Sequence, residues 1–146
     1  ILAEPGGPAW KQTIYYPYQD LALYGSKGVS LQPVINSPCY DDSQFGAVPY
    51  IDLAAVYDEE SGALNLFIAN RHESETVPLE LDLRGFGAVW VAAHSVLAHA
   101  DNNARNTLQA PNTVVPRLDG DARVVDGTLT ANLTPLSWNV VRCKAG

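Results

Sequence analysis

From Val29 onward, apolar and polar residues alternate in short runs, the two-residue period of half-buried strands. VSLQPVINS (29–37) places Val29, Leu31 and Ile35 on one parity. Pro33 on that parity marks an edge or a bulge, because proline cannot donate to a ladder. YIDLAAVYD (50–58) and ALNLFIANR (63–71) flank the acidic turn EESG and predict a hairpin. In its second arm Leu64, Leu66 and Ile68 face one way, and Asn65, Phe67 and Ala69 the other. TVPLELDLR (76–84) alternates cleanly, with Val77, Leu79, Leu81 and Leu83 inward and Pro78, Glu80, Asp82 and Arg84 outward. AVWVAAHSVLAH (88–99) reads as one long strand. GTLTANL (127–133) and SWNVVRC (137–143) read as a last pair joined by a turn around Pro135. About seven strands with no helical period between them predict an all-β fold, an antiparallel β-sandwich of jelly-roll-like type.

Two stretches exceed a minimal sandwich. Residues 1–28 are rich in aromatic and amide groups. Pro17 there permits a short helix only from its first turn, continuing through YQDLALY to Gly25. Residues 100–126 carry few large apolar side chains and are longer than the about 12–15 residues of an ordinary connection, which marks a functional, interfacial or disordered segment.

Composition narrows the function. The 146 residues are 47% hydrophobic, enough for one sizeable core. A net charge of −7 argues against nucleic acid, which needs clustered Lys and Arg. No run approaches the about 18 apolar residues of a membrane helix, so no membrane partner is expected. The opening lacks the basic and apolar regions of a secretory signal. Cys39 and Cys143 lack metal-site spacing and read as buried free thiols rather than a disulfide, which points to a cytoplasmic location.

Candidate chemistry is sparse. Asp41 and Asp42, and Asp58, Glu59 and Glu60, lie in turns, where carboxylates solvate the chain. Glu4 ends an apolar run before a glycine turn and reads as a turn residue. His72, His94 and His99 are too scattered for a metal site and read as surface or half-buried side chains. Asn132 opens the glycosylation sequon NLT inside a strand, a motif common by chance. Trp90 and Trp138 sit among apolar residues and read as core. There remains PGGPAWKQTIYYPY, where Trp10 offers a flat face for a sugar ring and Gln12 a donor and acceptor for vicinal hydroxyls, although on composition alone packing of these aromatics against the sandwich is the favoured reading.

EPGGPAWKQTIYYPY resembles the last barrel strand and following helix of the α-L-arabinofuranosidases of glycoside hydrolase family 51. GVSLQPVINSPCYD, VPYIDLAAVYDEE, FIANRH, LELDLRGFG, VVPRLDGDA and LTPLSWNVVR extend the likeness, in order, over nearly the whole chain. The resemblance implies that residues 1–28 end a (β/α)8 barrel and that 29–146 form the C-terminal β-sandwich behind it. It implies a retaining exo-enzyme that releases terminal α-L-arabinofuranosyl residues from arabinan, arabinoxylan or their oligosaccharides. Two glutamates would act there without metal or organic cofactor. Neither of their motifs occurs here, so no catalytic residue is expected in this chain, and Glu4 matches neither. Gln12 matches the family's sugar-contacting glutamine, with Trp10 beside it; Lys11 stands where Arg is usual. The implied partners are the catalytic barrel, an arabinose-containing oligosaccharide and, in an oligomer, further copies of the chain. An autonomous carbohydrate-binding module is the competing reading, but such modules display aromatics along one sheet face, and here they gather in the N-terminal block.

Overall fold

The computed structural model describes residues 1–3 and 5–146, so the turn expected at Glu4 lies outside the described residues. The chain opens with two short strands, β1 (Leu2–Ala3) and β2 (Ala9–Trp10), paired as a hairpin. Helix α1 (Tyr15–Tyr24) follows. Then come β3 (Val29–Leu31), β4 (Cys39–Asp42), β5 (Gly46–Pro49), β6 (Ile51–Asp58), β7 (Ala63–Asn70) and β8 (Val77–Asp82). After a 3-10 turn at Arg84–Phe86 the chain forms β9 (Val89–Leu97), β10 (Arg123–Val125), β11 (Thr128–Leu133) and β12 (Ser137–Ala145).

Two antiparallel sheets face each other. One has five strands in the order β3-β6-β7-β12-β9, the other three in the order β10-β11-β8. The expected hairpin is present, with Asp58 opposite Ala63. Its inward residues Leu53, Leu64, Leu66 and Ile68 join Leu129, Ala131, Leu133 and Val141 in one buried core. Leu79 and Leu81 of β8 close that core from the smaller sheet, as their alternation predicts. Expulsion of water from these facing apolar surfaces drives the two sheets together.

The last two strands correct the sequence reading. β11 pairs with β8 and β10, whereas β12 pairs with β7 and β9, so they lie in opposite sheets. The segment 134–136 crosses between the layers rather than turning back on itself, and Leu136 takes a left-handed φ of 45° to do so. Buried Asn70 fixes the crossing: its side-chain amide donates to the carbonyls of Leu133 and Thr134, both at 2.9 Å. Three other expectations also change. β3 ends at Leu31, and Ile35 is exposed beyond it. Trp90 is 53% exposed rather than core. His94, expected at the surface or half-buried, is buried on the inner face.

Helix α1 covers the outer face of the larger sheet. Pro17 sits in its first turn, where a backbone N–H has no intrahelical acceptor. The Gly25 N–H closes the last turn on the Leu21 carbonyl at 2.8 Å. Residues 16, 20 and 24, four apart, face the sheet. Tyr16 is buried, Asp20 accepts from the Trp138 indole, and the Tyr24 carbonyl accepts from the Asn65 side chain at 2.9 Å. Arg142 stacks over the Tyr24 ring, and Phe67 stacks on Trp138 beneath the helix. Ile14, Tyr18 and Leu21 point the other way and are exposed. Gly28 carries the chain from the helix into β3 at φ +97°, and a Cβ there would lie 2.3 Å from the Tyr57 carbonyl oxygen.

Candidate functional site

The segment Trp10–Thr13 links the N-terminal hairpin to α1 and lies against the long connection after β9. Trp10 is half-buried at the end of β2, its Nε1 shielded from solvent without an acceptor among the described residues. Gln12 is half-buried too, and its carbonyl accepts the Tyr15 N–H that opens the helix. Its side-chain Nε2 donates to the backbone carbonyl of Asn106 at 3.2 Å. That bond uses one of two amide hydrogens. The second hydrogen and Oε1 make no hydrogen bond among the described residues.

Asn106 was not singled out by the sequence, because an asparagine in a polar connection carries no signal of burial. It is 2% exposed. Its Nδ2 donates to the Lys11 carbonyl at 3.0 Å and to the Val114 carbonyl at 2.9 Å, and its Oδ1 accepts the Val114 N–H at 2.8 Å. Val114 packs with Tyr16 of α1 and Leu97 of β9, so the connection is anchored on both elements. A cavity of about 390 Å³ adjoins this junction, with Thr13, Leu97, Ala104 and Trp138 in its wall.

A second polar cluster fills one end of the inter-sheet space. A bulge in β9 opposite Arg142 and Cys143 puts His94 across from Val141 on the inner face. Its Nδ1 accepts the Ala122 N–H at 3.1 Å, and its Nε2 lies 3.2 Å from Asn139 Oδ1. Asn139 in turn donates to Ser137 Oγ, which donates to the Thr134 carbonyl. Burial lowers the His94 pKa below its ordinary 6.5, although the Asn139 hydrogen bond and the acids Asp121 and Asp119 act the other way. Gly120 packs on the ring so closely that a Cβ would sit 2.1 Å from it. Beside this cluster opens a groove of about 800 Å³. Asp121 at its rim is occupied by the backbone and side-chain amides of Asn132, the sequon asparagine.

The acidic turns are structural. Asp42 Oδ1 accepts the N–H groups of Gln44 and Phe45, and Asp58 accepts the N–H of Glu60 and the hydroxyl of Ser61. His72 Nδ1 accepts from the backbone of Ser74 and Glu75, and His99 is exposed beyond the end of β9. Among the described residues no three His, Cys, Asp or Glu side chains are grouped to hold a metal ion. Among the described residues no helix is long and apolar enough to cross a membrane. Both cysteines are free; Cys143 is buried as expected, but Cys39 is exposed, because it opens the peripheral β4–β5 hairpin outside the core.

Residues 1–137 match the model of the α-L-arabinofuranosidase C-terminal domain. The chain is 46% identical over 142 residues to an intracellular exo-α-(1→5)-L-arabinofuranosidase of Halalkalibacterium halodurans, covering 97% of this chain and 28% of that protein. It is 47% identical over 144 residues to intracellular exo-α-(1→5)-L-arabinofuranosidase 1 of Bacillus subtilis, covering 99% of this chain and 28% of that protein. Among solved structures, a family 51 α-L-arabinofuranosidase from Bifidobacterium longum superposes with a TM-score of 0.87 at 34% identity, over 96% of this chain and 27% of that one. The chain therefore spans a little over a quarter of the length of these relatives.

Proposed function

The chain belongs to the α-L-arabinofuranosidase C-terminal domain family, and from that premise we propose that it is the C-terminal part of a retaining exo-acting α-L-arabinofuranosidase. The whole protein releases L-arabinose from the non-reducing ends of arabinan, arabinoxylan or their oligosaccharides. It works inside the cell, in keeping with the names of its relatives and with two free thiols. Residues 1–28 end the catalytic barrel, and residues 29–146 form the sandwich that braces it. The barrel supplies both catalytic glutamates, as nucleophile and as acid/base. This chain supplies Gln12, whose free amide hydrogen and carbonyl oxygen contact sugar hydroxyls, with Trp10 beside it as an apolar wall.

One observation carries the reading: identity of 46% to 47% to two exo-arabinofuranosidases over 97% to 99% of the chain. The exposed stripe of Ile14, Tyr18 and Leu21 supports it, since it gives α1 a second apolar face for the barrel to cover. The test is product release from arabino-oligosaccharides. The full-length protein should liberate L-arabinose one residue at a time, and residues 1–146 alone should liberate none. A full-length protein inert on every α-L-arabinofuranoside would refute the assignment.

A further inference from the structure

We propose that Asn106 is a positioning residue for sugar recognition, reaching from the sandwich to hold Gln12 in its binding orientation. This rests on the reading of Gln12 as a sugar contact. A glutamine side chain has three rotatable bonds, and its terminal torsion is broad and nearly two-fold. Left free, the amide would present donor and acceptor in either order. The Asn106 carbonyl accepts one Nε2 hydrogen and breaks that symmetry, so that Oε1 and the remaining N–H project in fixed directions. The Asn106 side chain meanwhile holds the Lys11 carbonyl, one residue before Gln12, and so fixes the backbone from which the amide extends.

The clamp is stiff because Asn106 is itself fully engaged. Both polar atoms of its side chain are bonded, and its two bonds to Val114 close an eight-residue span of the connection. Val114 is buried against Leu97 of the larger sheet and Tyr16 of the helix. The path from sandwich to sugar contact thus runs Leu97, Val114, Asn106, Gln12. It gives the long connection after β9 a purpose that its low apolar content does not suggest. A binding group held in place before the substrate arrives loses less freedom on binding.

The experiment is a double-mutant cycle in the full-length protein, read as kcat/KM on 4-nitrophenyl α-L-arabinofuranoside. Asn106→Asp keeps the side-chain shape and the acceptor for the Val114 N–H, but removes the donor to the Lys11 and Val114 carbonyls. Alone it should lower kcat/KM by roughly tenfold, about one hydrogen bond's worth of orientation. In a Gln12→Ala background it should cost less than about twofold, because the group it positions is gone. An equal loss in both backgrounds overturns the positioning role while leaving Gln12 as a sugar contact. Unchanged activity in Gln12→Ala alone overturns the Gln12 reading itself, and the clamp with it. Should Asn106→Asp fail to fold, amide exchange in the wild-type protein decides: saturating L-arabinose should slow exchange of the Val114 N–H. Exchange there indifferent to L-arabinose contradicts the proposal.

Discussion

The indole Nε1 of Trp138 donates to Oδ2 of Asp20 across 3.0 Å, joining β12 to α1 over 118 residues of sequence. The bond sits under the helix, beside the stacked Phe67 and Trp138 rings. It is one of several ties between residues 1–28 and the sandwich, with Asn65 to Tyr24 and Asn106 to Lys11. Burial raises the Asp20 pKa, opposed by the Trp138 hydrogen bond and by Arg142, so the carboxylate's charge is disfavoured while its acceptor role is used. Asp20→Asn keeps an acceptor and should change stability by less than about 1 kcal/mol. Asp20→Ala leaves a part-buried indole N–H without its acceptor and should cost about 1–2 kcal/mol. Urea unfolding of both variants checks this, and equal losses would show that the charge, not the acceptor, is what matters.

His94 should make the domain lose stability on mild acidification. Its folded pKa lies below the ordinary 6.5, chiefly through burial. Above that value both folded and unfolded chains carry neutral imidazole, and the His94 contribution is fully present. As pH falls below it, the unfolded state takes up a proton that the folded state resists, so stability drops until the folded pKa is passed. Protonation would also place a hydrogen on Nδ1, where the Ala122 N–H already points. The melting temperature should fall between about pH 7 and pH 5. In His94→Gln this slope should flatten, at the expense of lower stability throughout. A wild-type slope retained in the variant would assign the effect to another group.

The two thiols should separate by reactivity. Cys39 is exposed, and Cys143 is buried with its pKa pushed up to about 11. Thiolate is the reactive species, so a thiol-specific chromogenic reagent at neutral pH should titrate one group in the native protein and two after denaturation. Two fast-reacting thiols in the native state would contradict the placement of Cys143 in the core.

Much of the sandwich was legible because alternation records burial directly. The run from Val77 to Arg84 gave its inner and outer faces without ambiguity, and the turn after Asp58 located the central hairpin. The last pair misled because three residues between two strands look like a hairpin. Whether such a turn stays in one sheet depends on Leu136 and on partners elsewhere in the chain. A clue did exist in β7, where Phe67 makes the outward parity apolar as well. A strand apolar on both faces is covered on both faces, and α1 is the cover. The placement of His94 was illegible because a bulge shifts parity without changing the letters. Asn106 was equally hidden, since its hydrogen-bond partners lie 8 and 95 positions away.

In the proposed reading, this chain completes a sugar-binding site whose catalytic acids lie in the rest of the protein. The most direct test is kcat/KM of full-length Gln12→Ala on 4-nitrophenyl α-L-arabinofuranoside, measured beside its melting temperature. Loss of one buried hydrogen bond to a sugar hydroxyl, with its partner left unpaired, should lower kcat/KM by roughly tenfold to a hundredfold. The melting temperature should stay within about 2 °C of wild type, because the lost bond to the Asn106 carbonyl is half-buried and solvent can replace it. Wild-type turnover by the variant would contradict the account, and so would a loss of activity matched by a large fall in melting temperature.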